Sequence, residues 1–260
     1  MSYTLADLMI KAASEVWRHD GEVLATGIGV LPRLAASLAM KTCNQDLMMT
    51  DSEAFMVSSP VPVGLKSKED HHSEETWMGF SRIFDNVWSG KRHAMVTPVQ
   101  VDRYGQANIS CIGSYDQPKV QMLGARGFPG NSISHANSFF IPDHNPKVFL
   151  DGECHMVCSI GYNRERLPRG YTFDDIDIRH IITNLCILDF KGPGHTPRLV
   201  SLHPGVSRQH VQDQTGFELH MAKDLPLTAG PSEEDLQWIQ AFDPNNLRTK
   251  QLKHNPVIEH

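Results

Sequence analysis

Short, mostly apolar runs recur along the chain: "EVLATGIG", "LMMT", "HAMV", "SFFIP", "HMVCSI", "IRHIITNLCILDF" and "PRLVSL". They alternate with segments of helical periodicity. This alternation is the feature that most limits the fold, because apolar runs bounded by Gly, Pro or polar clusters read as strands buried on both faces, and helices between them cover such a sheet. The expectation is an α/β fold with an open, mostly parallel sheet and flanking helices.

The helical segments carry their own start signals. "TLADLMIKAASEVW" places Leu5, Leu8, Met9, Ala12 and Val16 on one face, with Thr4 and Asp7 at capping-box spacing, so a helix is predicted over 4–18. In "PRLAASLAM", Pro32 suits a first helical turn. Further helices are predicted over 77–88, 206–213 and 232–241, the last opened by the pattern Ser232 to Asp235. Residues 58–76 read as a loop, and "DRYGQ", with Gly105, as the turn of a hairpin. No linker, composition shift or internal repeat divides the 260 residues, and 40% hydrophobic content supports a sizeable core, so a single domain over 1–260 is expected.

Charge and cysteine usage exclude several classes. With 24 basic against 30 acidic residues, the net charge of −6 gives no general attraction to nucleic acid or to an anionic membrane. Five cysteines without a C-x-x-C pair fit a reducing compartment. No signal-peptide pattern is seen, and no window approaches about eighteen apolar residues, so a cytoplasmic protein is expected. Of the 14 histidines, His71 and His72 lie in a charged stretch, and no H-E-x-x-H or C-x-x-C spacing occurs, so no metal is expected. "GNSIS" misses the G-x-S-x-G nucleophile pattern by one residue. "GIG", Gly27 to Gly29, lacks the third glycine of a dinucleotide loop and reads as a tight turn.

Two stretches concentrate chemistry. "LMMTDSEAF" runs from a strand into Asp51, Ser52 and Glu53. Residues two apart on a strand share a face, and two close carboxylates raise one another's pKa, which suits a base or a protonated donor near neutral pH. A solvated turn is the alternative. "GARGFPGNSISHANS" gathers Gly124, Ala125, Arg126, Gly127, Gly130, Asn131, His135 and Asn137 between apolar runs. Its glycines let backbone N–H groups approach a ligand, and Arg126 suits a carboxylate or enolate oxygen.

These motifs, with "GIGVLPRLAASLAM", "GFPGNSISHANSFFIPDHNPKVFL", "IITNLCILDF" and "RLVSLHPGVSRQHVQDQTGFEL", make the chain resemble the β subunits of family I coenzyme A transferases over nearly its whole length. The resemblance implies the CoA-transferase (NagB/RpiA-like) fold, an α subunit as partner, an α2β2 heterotetramer, and an active site shared between the two chains. Typical members carry a nucleophilic glutamate at the end of the strand that here reaches Asp51; aspartate is one methylene shorter. The pattern "TDSEA", "QVDRYGQANIS" and Arg126 is similar to a narrower branch, the bacterial steroid ring-cleaving CoA hydrolases. That likeness implies a C–C bond-cleaving enzyme acting on a cyclohexene with a ring ketone β to a CoA thioester. Asp51, Glu53 and Arg126 are then the catalytic candidates. Ser52, Gly124, Ala125, Gly127, Gly130, Asn131, His135 and Asn137 would bind the acyl-CoA substrate. Coenzyme A enters with the substrate and no permanent cofactor is implied. The rival readings are a CoA transferase using Asp51 or Glu53 as nucleophile, a non-catalytic support subunit, and a small-molecule sensor.

Overall fold

Thr4 starts the first helix by the means its spacing predicts: its hydroxyl accepts from the Asp7 N–H at 3.3 Å, and the Asp7 carboxylate accepts from the Thr4 N–H at 2.9 Å. The α-helix is Leu5–Ser14, and its last predicted turn tightens into a 3-10 turn, Glu15–Trp17. The computed structural model describes residues 2–50, 55–60, 62–64 and 74–259. Contacts divide the chain into two compact units, Met1–Val96 with Ala229–His260, and Thr97–Thr228.

In the first unit the strand Leu24–Gly27 runs parallel to Met48–Thr50 on one side and to Arg92–Val96 on the other. The "GIG" turn follows that strand. A side-chain carbon on Gly27 would lie 2.3 Å from the Pro32 carbonyl oxygen, so packing of the next helix, Val30–Lys41, requires glycine there. Phe55–Val57 pairs antiparallel with Met48–Thr50, and Glu74–Trp77 pairs antiparallel with Phe55–Val57. The expected loop over 58–76 is therefore corrected at its end, and the next helix begins at Phe80 rather than 77. "EETW" was invisible as a strand because three of its four residues are exposed, leaving no apolar alternation to read. Ser232 and Asp235 form the predicted capping box of the helix Glu233–Phe242. Buried Arg248 then ties the C-terminal stretch to the first helix through Asp7 at 2.8 Å, and pairs with Asp243 at the end of the helix Glu233–Phe242 at 3.0 Å. Trp17, Leu8, Met9, Leu34, Leu38 and Met49 fill the core.

In the second unit, Gln100–Val101 and Ala107–Asn108 form the hairpin predicted around Gly105. The strand Ala136–Ile141 is buried at every position and runs parallel to Ile178–Thr183. The ladder continues antiparallel to Cys186–Asp189 and Arg198–Leu202, then parallel to His220–Met221. The sheet is thus mixed, and the reason is local. Thr183 Oγ1 accepts from the N–H groups of Leu185 and Cys186, both at 3.0 Å, closing a short turn that permits only antiparallel return. "HMVCSI" forms no strand; its backbone meets the hairpin at one isolated bridge, Ser159 to Ala107. Ser207 caps the helix Arg208–Asp213 within the predicted span. All five cysteines are free thiols. Among the described residues no helix is long and apolar enough to cross a membrane.

Candidate active site

Asp51, Ser52 and Glu53 lie outside the described residues. The strand leading to them is described: Met48–Thr50 lies beside Leu24–Gly27, with the Thr50 and Thr26 hydroxyls 3.2 Å apart.

The second candidate stretch is brought together entirely within the second unit. It leaves a two-stranded arm, Cys111–Gly113 with Pro118–Gln121, where the Met122 N–H donates to the Ser110 carbonyl at 2.9 Å. Gly124 then takes a φ of +84°, and a side-chain carbon built on it meets nothing within 4 Å among the described residues. Its glycine is a matter of conformation rather than of crowding by the described residues. Arg126 is exposed and takes a φ of +51°, a left-handed conformation costing a non-glycine residue roughly 1 kcal/mol. Such strain is kept where the surrounding chain fixes a side chain for use.

The turn is locked from both sides. The Phe128 N–H donates to the Ala125 carbonyl at 3.1 Å and the Asn131 N–H to the Gly127 carbonyl at 3.0 Å. Phe128 is buried edge-on against Phe139, with centroids 6.3 Å apart. It opens a short helix, Phe128–Ser134, that carries Gly130 and Asn131 and that the glycine-rich sequence hid. Buried Asn137, on the following strand, donates to the carbonyl oxygens of Asn131 at 3.0 Å and His135 at 2.7 Å. Its own N–H donates to Asp177 at 2.8 Å. The Asn137 Oδ1 is buried without a hydrogen-bond partner among the described residues. His135 Nδ1 lies 2.8 Å from the Ala136 carbonyl oxygen, which assigns the ring proton to Nδ1. Eight candidate residues are thus ordered by a short turn, one helix and one strand start.

A polar cluster the sequence reading passed over sits in the same unit. Gln100 Oε1 accepts from Asn108 at 2.7 Å and from the His155 N–H at 3.2 Å. Asp102 accepts backbone N–H groups of Tyr104, Gln106 and Cys154, yet burial outweighs these donors and pushes its carboxyl up to about 6. The partners are separated by up to 55 residues in sequence, so no local pattern marks them. Among the described residues no three metal-ligating side chains converge.

No protein-family model matches the chain. It is 36% identical to the cholesterol ring-cleaving hydrolase IpdB subunit of Rhodococcus jostii (strain RHA1), over 96% of each chain. The crystal structure of Rhodococcus jostii RHA1 IpdAB superimposes with a TM-score of 0.88 at 35% identity, covering 97% of this chain and 99% of that one. Glutaconate coenzyme A-transferase from Acidaminococcus fermentans shares the fold, with a TM-score of 0.78 at 23% identity over 94% of this chain and 96% of that one.

Proposed function

We propose, from the premise that this chain belongs to the IpdB-subunit family of cholesterol ring-cleaving hydrolases, that it is one subunit of a heteromeric CoA-thioester hydrolase. That enzyme opens the last steroid ring by water-dependent C–C cleavage. The observation that carries the reading is the left-handed, hydrogen-bonded turn that presents exposed Arg126 and the Gly124–Gly127 backbone, in a chain matching that relative over 96% of its length.

The chemistry follows from where charge develops. Water adds to the ring ketone and forms a C–O bond, giving a tetrahedral alkoxide. Its collapse breaks the neighbouring C–C bond and leaves the electron pair on the carbon α to the thioester. That carbanion persists only as the thioester enolate until a proton quenches it. N–H donors of Gly124 to Gly127 and the Arg126 guanidinium are suited to hold the enolate oxygen, and preorganised donors of this kind are worth about 3–4 kcal/mol each in a dry site. Asn131 lines the approach of the thioester, while buried His135 and Asn137 hold that segment from behind. Asp51 and Glu53 position water or move the proton, and no bond forms to either. Coenzyme A arrives with the substrate, and no resident cofactor is required by these steps.

The partner is an α-type subunit that completes the site in an α2β2 assembly. Exposed apolar side chains on the arm and turn next to Gly124, Tyr115, Val120 and Leu123, the last 81% exposed, suit burial against it. Five free thiols and the lack of a membrane-crossing helix among the described residues support a cytoplasmic setting. The test is to co-express the chain with its α-type partner and assay a cyclohexene CoA thioester bearing a β ring ketone. Hydrolytic ring opening by the pair, and by neither chain alone, is expected; CoA transfer to small acids without ring opening would refute the reading.

A further inference from the structure

Phe190 leads from the candidate site to a second recess in the same unit. Phe128 packs edge-on against Phe139, and Phe139 edge-on against Phe190 at 6.5 Å. Phe190 also meets Tyr162 at 5.5 Å and forms part of the wall of a cavity of about 430 Å³, shared with Arg164, Phe173, Lys191, Gly192 and His195. That volume lies inside the range of roughly 300–1,000 Å³ usual for small-molecule sites.

The walls are preformed. His195 is left-handed at φ +62° and follows Gly194 at +65°. The loop is closed by the His195 N–H donating to Gly192 at 3.0 Å and the Thr196 hydroxyl to Pro193 at 2.9 Å. In this strained position the imidazole lies flat on Tyr162, 4.6 Å between centroids at 15°, with Phe173 edge-on to it at 5.3 Å. The result is an aromatic surface of the kind on which a planar ring stacks.

The cations around this surface are treated in two ways. Arg166, Arg179 and Arg198 each pair with a carboxylate, Glu153 at 2.6 Å, Asp177 at 2.8 Å and Asp189 at 2.5 Å. Arg164 and Lys191, which face the recess, form no ion pair among the described residues, although the Arg164 guanidinium lies over the Phe173 ring, 5.4 Å from its centroid. Among the described residues no carboxylate lines the cavity. Two cations without a carboxylate partner, beside the imidazole of His195, suit a ligand that joins a flat ring to phosphate.

We propose that this recess binds a phosphorylated purine nucleoside, the chemistry carried by the nucleotide end of a CoA thioester. As a subsite for the substrate itself it rests on the hydrolase reading above; as a nucleotide site it does not. Calorimetric titration of the assembled complex with ADP tests it without any turnover. The expected result is saturable binding that weakens roughly tenfold or more in Arg164→Ala/Lys191→Ala, the loss of two charge-assisted contacts. Arg166→Ala, which alters the same surface outside the cavity, should bind ADP like the parent. Competition then separates the sources. Displacement of ADP by saturating CoA thioester assigns the recess to the substrate's own nucleotide end, and the double variant then raises KM for the intact thioester relative to a pantetheine thioester lacking the nucleotide. ADP that stays bound under saturating thioester assigns it to a free nucleotide. Equal ADP affinity in parent and double variant, or equal weakening by Arg166→Ala, would overturn the proposal.

Discussion

The Asn137 side-chain amide donates to the Asn131 carbonyl oxygen at 3.0 Å, so the first residues of a buried strand fix the helix that carries the candidate oxyanion-binding segment. The same amide also serves the His135 carbonyl. Asn137→Ala would leave two carbonyl oxygens without this donor in a buried setting, at a cost of about 1–3 kcal/mol. Thermal unfolding of the assembled complex checks this. A melting temperature equal to that of the parent would show that the clamp contributes nothing.

Arg126 is exposed and strained, so its side chain adds little to stability. Arg126→Ala and Arg126→Lys are both expected to alter unfolding by less than about 0.5 kcal/mol while lowering ring-opening turnover on the order of a hundredfold. Lysine fails because a single ammonium cannot reproduce the planar fork. Steady-state kinetics on complexes matched for subunit content give the answer; full activity in the lysine variant would reduce Arg126 to a diffuse positive charge.

Asp51 is assigned to the reacting centre from sequence and resemblance, since residues 51–54 lie outside the described structure. Asp51→Ala should lower turnover per assembled complex by roughly a hundredfold, the scale of a lost acid–base group. Unchanged turnover in a properly assembled complex removes Asp51 from the mechanism.

Two buried histidines set the acid sensitivity of the second unit. His144 sits between Thr183 and Thr215 and stacks on Phe149, and burial holds its pKa down at about 3. His203, between Thr228 and the Thr183 carbonyl, is held at about 4, also by burial. Both rise towards 6.5 on unfolding, so as pH falls from 6.5 the unfolded chain takes up protons that the folded chain refuses, and stability is lost. Asp102 has the opposite sign. Its folded carboxyl keeps a proton between 3.8 and about 6, so its contribution falls as pH rises through that window. Each shift is worth roughly 3–5 kcal/mol at most, and two histidines outweigh one aspartate. Urea midpoints measured at about pH 7 and about pH 5 should therefore fall on acidification; a midpoint that rises would show that carboxylates dominate.

The parts of the fold legible in the sequence are those fixed within a few residues. Thr4 with Asp7 and Ser232 with Asp235 are complete capping boxes, and the turn around Gly105 closes a hairpin, so each announces itself locally. Glu74–Trp77 escaped because its partner strand, not its own pattern, makes it a strand. "HMVCSI" misled because its apolar character serves packing: Cys158 is buried against the hairpin, and its N–H donates to the Ala107 carbonyl at 2.9 Å. The candidate site was legible as a density of glycine and polar residues between Gly124 and Ser138. Its clamp was not, because nothing in the sequence shows that Asn137 reaches back six residues to Asn131. The recess at Arg164, Phe173 and Lys191 assembles from three separate loops and leaves no motif at all.

Mass spectrometry of the assembled complex turning over in water labelled with heavy oxygen tests the central claim most directly. Solvent attack predicts one heavy oxygen in the carboxylate released by ring opening and no acyl or CoA adduct on this chain at any time. A covalent adduct on Asp51 or Glu53, or a product carboxylate free of label, would contradict the account.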